Sequence, residues 1–186
     1  MSTLNLPDNL RKFTRDEFYT MVDAGIFDDD YEIALIDGTI VAEAAPIGGE
    51  HGWAVCNLNK ALVQCVLGTE YYVHVHGGIS LPGDRVLQPD FAIYKRTPER
   101  ERQNPTADQI ILVVEVSDTS LRKDLTDKMQ LYAEAGVPTY WVVDVRHKQV
   151  TVYTRPDEGV YAAIEQFDVD KELEVCGRRF AVSDIF

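Results

Sequence analysis

The feature that most limits the fold is an aliphatic run, Ile-Ile-Leu-Val-Val-Glu-Val over residues 110–116, interrupted only by one acid. Runs of this kind are typical of strands that are covered on both faces. A helical pattern follows from about Ser120 to Ala135 and is closed by Gly136, and a second apolar run, Tyr140–Val145, comes next. Strand, helix and strand with short joints predict a βαβ unit whose two strands are parallel.

The flanking segments predict further helices and strands. Thr14-Arg15-Asp16-Glu17 has the pattern of a capping box, and Asp37-Gly38 is typical of a tight hairpin turn. The predicted elements are a helix from the box to about Gly25, two strands within Tyr31–Ala44, a helix over His51–Leu67, strands at Tyr71–Val75, Ile79–Leu81 and Val86–Tyr94, and antiparallel strands from Gln149 onward. We therefore expect an α/β or α+β protein, a single domain over residues 1–186. Its mixed central sheet is flanked by helices, with an added N-terminal helix and hairpin and C-terminal antiparallel strands.

Charge and cysteine content restrict the partners and the compartment. Acidic residues outnumber basic ones by 31 to 18, a net charge of −13, whereas a protein that binds a polyanion usually presents a basic face. No apolar stretch approaches the roughly 20 residues of a membrane span, and the N-terminus lacks the apolar core of a secretory signal, so we expect no membrane partner. Three widely spaced cysteines, Cys56, Cys65 and Cys176, predict reduced core thiols in a cytoplasmic protein.

Two charged residues occupy positions that are otherwise apolar. Glu115 lies inside the aliphatic run, where an ionised carboxylate needs a cation, a metal or a cluster of donors because its desolvation is costly. On a helical wheel Lys128 lies in the centre of an apolar stripe that includes Leu121, Leu125 and Tyr132. The apolar face of a crossover helix packs on its sheet, so Glu115 and Lys128 should face each other.

Asp90 offers a second carboxylate. It follows Pro89 and opens a strand-like run, so a neighbouring strand that begins there would bring it near Glu115. Two adjacent carboxylates repel each other and therefore favour one or two hard divalent cations, Mg²⁺ or Mn²⁺. With a lysine beside them the set suits phosphodiester hydrolysis, in which a metal polarises the phosphoryl group and an ammonium stabilises the developing charge.

Much of the chain resembles a known nuclease family. Pro89-Asp90, together with Glu115-Val116-Ser117 at the end of an aliphatic strand, is similar to the core of the PD-(D/E)XK nuclease superfamily, which has the restriction-endonuclease-like fold. A longer set of segments resembles one branch, the Uma-two family of putative restriction endonucleases. These segments are residues 31–38, Ala45-Pro46 followed by His51, residues 113–117, Asp124, Lys128, Tyr132 and residues 135–144.

The resemblance implies a metal-dependent endonuclease that cleaves nucleic acid, with DNA as the expected target, and that forms a homodimer. Asp90 and Glu115 would bind the metal together with the carbonyl oxygen of Val116. In the superfamily pattern a lysine stands two residues after the acid, where this chain has Ser117. In this branch the lysine comes from the following helix, which agrees with the position of Lys128 on the wheel.

Several other residues have either a supporting or a purely structural interpretation. The resemblance places Glu32 beside the site and gives His51 a contact with water or phosphate. Asp124 either joins the site or only forms an i,i+4 ion pair within its helix. His74 and His76 share one face of a predicted strand, and with His51 they either form a zinc site or are simply exposed.

The alternatives for the whole protein follow from the same residues. If Glu115 and Lys128 form only a structural ion pair and Asp90 only caps a turn, the chain is a nuclease-fold binding or regulatory module without turnover, which the net charge favours. A third possibility is a metal-dependent hydrolase of a small phosphoester. If the substrate is a polyanion, the local concentrations of positive charge should lie on the same side as the acidic site; these are the Lys95–Arg102 loop, Arg11, Lys12 and Arg15.

Overall fold

A six-stranded mixed sheet forms the centre of the computed structural model, which describes residues 10–28, 31–44, 48–97 and 103–186. The elements, in chain order, are α1 (Arg15–Asp23), β1 (Tyr31–Ile36), β2 (Thr39–Ala44), α2 (Gly49–Val66), β3 (Tyr71–Val75), β4 (Ile79–Leu81), β5 (Arg85–Leu87), β6 (Phe91–Lys95), β7 (Ile110–Ser117), α3 (Leu121–Lys123), a π-helical turn (Asp124–Lys128), α4 (Met129–Glu134), β8 (Thr139–Asp144), β9 (Gln149–Asp157), β10 (Val160–Phe167), β11 (Glu172–Val175) and β12 (Arg178–Ala181).

The strands β7 and β8 form the parallel pair that the sequence predicts. The sheet order is β10-β9-β8-β7-β6-β3, and its other neighbouring strands are antiparallel. The parallel register runs from Val113 opposite Tyr140 to Ser117 opposite Asp144. The predicted class, a mixed sheet flanked by helices with antiparallel strands toward the C-terminus, is confirmed.

The two faces of the central sheet are covered by different helices. Val114 packs with Leu58 of α2 in one buried cluster, and Val113 packs with Tyr132 of α4 in another. Side chains alternate along a strand, so Glu115 shares the face of Val113 and lies beneath the crossover helix. This alternation is what puts an acid from the strand against the helix that carries Lys128.

The N-terminal part of the chain builds a second sheet of order β2-β1-β5-β4. Its hairpin turns at Asp37 and Gly38, whose φ angles of 49° and 75° are both positive, as a two-residue type I′ turn requires. The predicted capping box at Thr14 and Glu17 is also present and begins α1. Ile36 at the end of β1 packs against the same cluster as the crossover helix, so this sheet and the central sheet enclose the helix between them.

The prediction of one strand over Val86–Tyr94 is wrong. The segment contains the end of β5, in the N-terminal sheet, and most of β6, in the central sheet. Pro89 lies between them, and a proline cannot donate a hydrogen bond to a strand ladder. The break leaves Asp90 just outside the sheet, at the point where the chain passes from one sheet to the other.

The sequence predicts one regular crossover helix from about Ser120 to Ala135, but a π-helical turn over Asp124–Lys128 interrupts it. The hydroxyl of Tyr140 donates a hydrogen bond of 3.0 Å to the carbonyl oxygen of Asp124, which competes with the α-helical bond from Lys128. The Asp124 side chain is bound at the same time by two serine hydroxyls. Such turns are frequent at functional sites, so this segment is a candidate part of one.

Membrane insertion and thiol placement can be examined directly. Among the residues that the structure describes, no helix has the length and apolarity to cross a bilayer. The three cysteines are free, but only Cys65 is buried, whereas Cys56 is exposed and Cys176 is half-buried. The prediction of core thiols is therefore wrong for Cys56, because it lies on the outward face of α2.

Candidate functional site

Asp90 and Glu115 are linked through the backbone of β7. The antiparallel register pairs Phe91 with Val114, so Asp90, immediately before β6, lies level with the end of β7 that carries Glu115. One carboxylate oxygen of Asp90 accepts a hydrogen bond of 2.7 Å from the backbone N–H of Val116. Both acids are buried, with 6% and 4% of their surface exposed, which is rare for carboxylates without partners.

Glu115 has a donor on each of its carboxylate oxygens. The ammonium of Lys128 donates to Oε2 at 2.9 Å, and the hydroxyl of Tyr132 donates to Oε1 at 2.8 Å. The predicted encounter of strand acid and helix lysine is therefore observed. Two donors on two oxygens are the pattern of an ionised carboxylate, because a protonated acid would itself donate from one oxygen.

The surroundings raise the pKa of both Glu115 and Lys128. Burial raises the pKa of Glu115 to about 8, and nearby Asp124 and Asp90 add to this, while Lys128 opposes it. Burial alone would lower the pKa of Lys128, but the carboxylates of Glu115 and Asp124 outweigh it and raise that pKa. Lys128 is therefore an ammonium throughout the neutral range, and Glu115 needs positive charge to stay ionised there.

Asp124 anchors the π turn to the end of β7. Its Oδ2 atom accepts hydrogen bonds from Ser117 at 2.7 Å and from Ser120 at 2.6 Å. Its other oxygen, Oδ1, is buried without a hydrogen bond and lies 3.4 Å from the ammonium of Lys128, which is an ion-pair distance. The helical ion pair and the site interpretation thus coincide, since Asp124 and Glu115 hold the same ammonium.

Two imidazoles lie near the Oδ1 atom of Asp90. Nε2 of His51, in the first turn of α2, and Nδ1 of His76 are each 3.5 Å from Asp90 Oδ1. His51 is buried, and its hydrogen bond to Asp90 raises the pKa of the imidazole against the effect of burial. His76 is nearly half exposed and has a φ of 46°, so strand alternation does not apply to it.

The left-handed conformation of His76 removes the basis of the zinc alternative, which requires His74 and His76 to share one face of a strand. His74 lies within β3, where its Nε2 is 3.3 Å from the carbonyl oxygen of Gly78. Its ring packs edge-on against Tyr94. Only His76 of this pair joins His51, and in the part of the chain that the structure describes no three His, Cys, Asp or Glu side chains converge into a metal-binding set.

Glu32 contributes to the site from the N-terminal sheet and lines a cleft together with Lys128. It is half-buried on β1, and burial raises its pKa, with opposing effects from the positive charge of Lys128 and the negative charge of Asp90. Its cross-strand neighbour is Glu43 of β2, whose carboxylate forms an ion pair with Lys123. The hairpin therefore contributes acids to the site, in addition to those from the crossover helix and the central strands.

A cleft of about 390 Å³ extends from Glu32 and Lys128 between the hairpin and the crossover helix. Its lining residues are Glu32, Ile33, Ala34, Ile36, Asp37, Val41, Glu43, Arg85, Leu87, Gln88, Lys123, Asp127, Lys128, Gln130, Leu131 and Glu134. Substrates therefore have access to Lys128 through a defined groove, although Glu115 itself is buried.

Comparison with known proteins identifies the family. The family model Uma2, described as "Putative restriction endonuclease", matches residues 15–177, which is most of the chain. The chain belongs to the Uma2 family. A crystal structure titled as "a putative nuclease belonging to DUF820" from Anabaena variabilis ATCC 29413 is similar with a TM-score of 0.73, over 94% of this chain and 97% of that chain at 19% identity. At that identity the likeness shows the fold, and no curated protein sequence matches the chain.

The donor set of this Uma2 protein fits a divalent metal ion. Each carboxylate oxygen has two lone pairs, and the oxygens of Glu115 and Asp90 Oδ2 each accept one hydrogen bond. Free lone pairs therefore remain on both acids. Asp124 and Asp90 also push the pKa of Glu115 upward, and a hard cation is the species that reverses such an effect.

The basic residues that a polyanionic substrate would need beside the acidic site lie away from Asp90 where the structure describes them. Lys95 lies at the end of β6 farthest from Asp90 and forms an ion pair of 2.6 Å with Glu70. Lys12 contacts Thr39 beside the hairpin turn, at the other end of β1 from Glu32. Arg11 and Arg15 are held near the same turn, by Glu17 in one case and by the β4–β5 connection in the other. Residues 98–102 of the basic loop lie outside the described residues, as do Ala45 and Pro46.

Sequence reasoning missed two residues of this Uma2 site. The sequence places Tyr132 in the apolar stripe and among the positions that resemble the family, without a role in the site, yet its hydroxyl binds Glu115. The available signal was its position four residues after Lys128 on the same helical face, with a polar group that needs a partner when buried. His76 was expected beside His74, and its contact with Asp90 depends on a backbone angle that no pattern in the sequence indicates.

Proposed function

We propose that the protein is a metal-dependent endonuclease that hydrolyses phosphodiester bonds of nucleic acid, with DNA as the expected target. One observation carries this proposal: the Lys128 ammonium is bound to the buried Glu115 beside Asp90, at the mouth of a cleft. Membership in a family described as restriction endonucleases supports the reaction class. Fold likeness alone does not establish turnover, so the proposal depends on the site.

Asp90 and Glu115, with the carbonyl oxygen of Val116, would hold Mg²⁺ or Mn²⁺. When bound, such an ion polarises the phosphoryl group and lowers the pKa of a coordinated water. The N–H of Val116 already holds Asp90 in place at 2.7 Å, so the carboxylate is positioned before a metal or substrate arrives. Preorganised ligands of this kind reduce the cost of assembling the site.

Lys128 would orient the attacking water and stabilise negative charge on the phosphoryl group. Its pKa is raised by Glu115 and Asp124, so it is a donor and not a general base at neutral pH. Asp124 is a positioning residue in this proposal, since its Oδ1 atom lies 3.4 Å from the ammonium. Ser117 acts through Asp124, to which it donates a hydrogen bond.

The remaining candidate residues surround this centre. His51 would hold Asp90 in its orientation and contact water or phosphate from the N-terminal turn of α2. Glu32 would bound the site on the hairpin side, where it also lines the cleft. The hydrogen bonds to Glu115 come from Lys128 and Tyr132, so we expect smaller losses from changing His51 or Glu32 than from changing Asp90, Glu115 or Lys128.

The test is cleavage by the purified chain with Mg²⁺, with Mn²⁺ or with EDTA. A nicked plasmid and a degraded single strand report nuclease activity, and bis(p-nitrophenyl) phosphate reports a small-phosphoester hydrolase. Asp90→Asn and Glu115→Gln should abolish metal-dependent cleavage, whereas Glu165→Gln, which changes an exposed acid on β10 that does not line the cleft, should retain it. Mn²⁺ binding by an inert wild type would favour the binding module instead.

The homodimer and the cytoplasmic location stay predictions of the resemblance and of the thiol content. Light scattering on the purified chain measures the oligomeric state directly. A single-protomer mass over a wide concentration range would contradict the dimer without affecting the proposed chemistry, because the described site residues come from one chain.

A further inference from the structure

The cleft beside Lys128 extends from the candidate site to the hairpin turn at Asp37. Arg85 lines it near that turn, where it forms ion pairs of 2.5 Å with Asp37 and 2.8 Å with Glu134. Glu32 and Lys128 line its other end. The cleft therefore adjoins the proposed position of the phosphate, and its volume of about 390 Å³ lies in the range of small-molecule sites.

The inner walls of the cleft are apolar and come from two elements. Ala34 of β1 lies opposite Val41 of β2 in the hairpin register, and both face the cleft. Leu87 and Leu131 contribute from β5 and α4. Flat aromatic groups are bound between apolar side chains of this kind, as flipped nucleobases are in enzymes that act on single nucleotides.

The rim of the cleft offers acceptors and amides for the edge of such a group. Glu32, Asp127, Gln88 and Gln130 line the cleft. The amide nitrogens of Gln88 and Gln130 each donate one hydrogen bond within the protein, to the His76 carbonyl oxygen and to Glu134, so each amide has its second N–H and its oxygen to offer. Carboxylates accept hydrogen bonds from exocyclic amino groups, and amides pair with bases through both a donor and an acceptor. The rim chemistry therefore suits the polar edge of a nucleobase that bears an amino group.

The same rim is unsuited to a long tract of phosphates. Five carboxylates line the cleft, against three cationic side chains, Arg85, Lys123 and Lys128. Each of these cations is already ion-paired with at least one carboxylate. Duplex DNA presents a negative charge about every 1.7 Å and is normally bound by unpaired basic side chains.

We infer that the cleft binds one unpaired, amino-bearing nucleobase of a single-stranded substrate, next to the phosphodiester that the site acts on. The inference rests on the proposed function and adds its substrate class. One base enters the apolar pocket, and one phosphate approaches Lys128 at its mouth. The excess of carboxylates around the pocket keeps a continuous duplex away from it.

The test fills the pocket without touching the proposed catalytic groups. Ala34→Phe places a ring in the cleft, and Ala42→Phe is the matched control, because Ala42 is exposed on the opposite face of the same hairpin. Deoxycytidine binding is measured by NMR in the absence of metal. We expect wild type and Ala42→Phe to bind alike and Ala34→Phe to bind about tenfold more weakly, the effect of losing one enclosed base.

A second measurement concerns the whole substrate. With Mn²⁺, wild type should cleave a short DNA strand faster than the same strand annealed to its complement, and Ala34→Phe should lose most of that difference. Thermal melting checks that the variants fold, and Ala34→Leu repeats the experiment with a smaller side chain.

The outcomes separate this inference from the proposed function. Absence of deoxycytidine binding to wild type, undiminished binding by both Ala34 variants, or faster cleavage of the duplex would each overturn the inference while leaving the nuclease proposal standing. Deoxycytidine binding that only the Ala34 variants weaken, in a protein that cleaves no nucleic acid, would uphold the pocket and refute the nuclease.

Discussion

The Lys128 ammonium lies 2.9 Å from Glu115, although the two residues are separated by 13 positions and belong to a helix and a strand. The superfamily pattern places its lysine two residues after the acid, where this chain has Ser117. Ser117 instead donates to Asp124, whose other carboxylate oxygen lies 3.4 Å from the Lys128 ammonium. Ser117 therefore helps to anchor the helix that supplies the lysine.

Lys128→Met separates a catalytic charge from a structural one. Methionine keeps the apolar stem but leaves Glu115 buried without its cation, which should cost on the order of 3–5 kcal/mol when the acid is ionised. The loss should be larger at pH 9 than at pH 6. Glu115 has a pKa of about 8 in wild type and is ionised beside the lysine at pH 9, whereas at pH 6 it is protonated with or without the lysine, whose removal raises that pKa further. Thermal melting at the two pH values measures this.

Mn²⁺ distinguishes the two roles of Lys128. If a metal neutralises Glu115, saturating Mn²⁺ should restore most of the stability of Lys128→Met, while cleavage of single-stranded DNA stays abolished. Lys60→Met, at an exposed position on α2, is the matched control and should change neither measurement. Destabilisation that Mn²⁺ does not relieve, together with an inert wild type, would leave only a structural ion pair.

Burial of Glu115 also predicts a pH dependence of stability in the absence of metal. Its pKa rises from an ordinary value of 4.5 in the unfolded chain to about 8 in the folded one, so the native state binds the extra proton between these values. The free energy of unfolding should therefore fall as the pH rises through this window, by up to a few kcal/mol. Glu115→Gln should flatten the curve. Urea titrations at several pH values check it, and an equal slope in the variant would contradict the assignment.

Periodicity predicted the elements whose burial is uniform along the chain. The aliphatic run at 110–116 and the hairpin at Asp37-Gly38 were correct because two-sided burial and positive φ each restrict the residues that can occur. The break at Pro89 was missed because β5 and β6 are both apolar, and their membership of different sheets depends on distant partners.

The site was predictable where charge conflicted with burial, and it was not predictable elsewhere. Glu115 and Lys128 stood out as charges in apolar surroundings, and the structure brings them together. The π turn follows from a hydrogen bond between the Tyr140 hydroxyl and the backbone, which no local pattern encodes. His76 lies near Asp90 because its own backbone is left-handed, a conformation that is uncommon for residues other than glycine.

Tyr132→Phe should change the pH profile of cleavage as well as stability. It removes the hydrogen bond to Glu115 Oε1 and leaves that oxygen unsatisfied, at a cost of about 1–3 kcal/mol. A carboxylate that loses a donor has a higher pKa, so metal-dependent activity should appear at higher pH than in wild type. Tyr161→Phe, which loses a buried bond to the Val137 carbonyl, should be destabilised similarly but keep the wild-type profile. Identical profiles for both variants would assign Tyr132 to packing alone.

Asp124→Asn tests whether the π turn positions the lysine. The amide oxygen can still accept from Ser117 and Ser120, so the turn should persist, but the charge 3.4 Å from the Lys128 ammonium is lost. An ammonium held by Glu115 alone is free to shift, and a misplaced catalytic group costs about tenfold or more in rate. We expect kcat to fall by that amount with little change in KM, because substrate does not contact Asp124, which is almost fully buried. Asp157→Asn, which changes an exposed acid on β9 that does not line the cleft, should keep the wild-type kcat. A fall in melting temperature with kcat unchanged would make Asp124 a structural residue only.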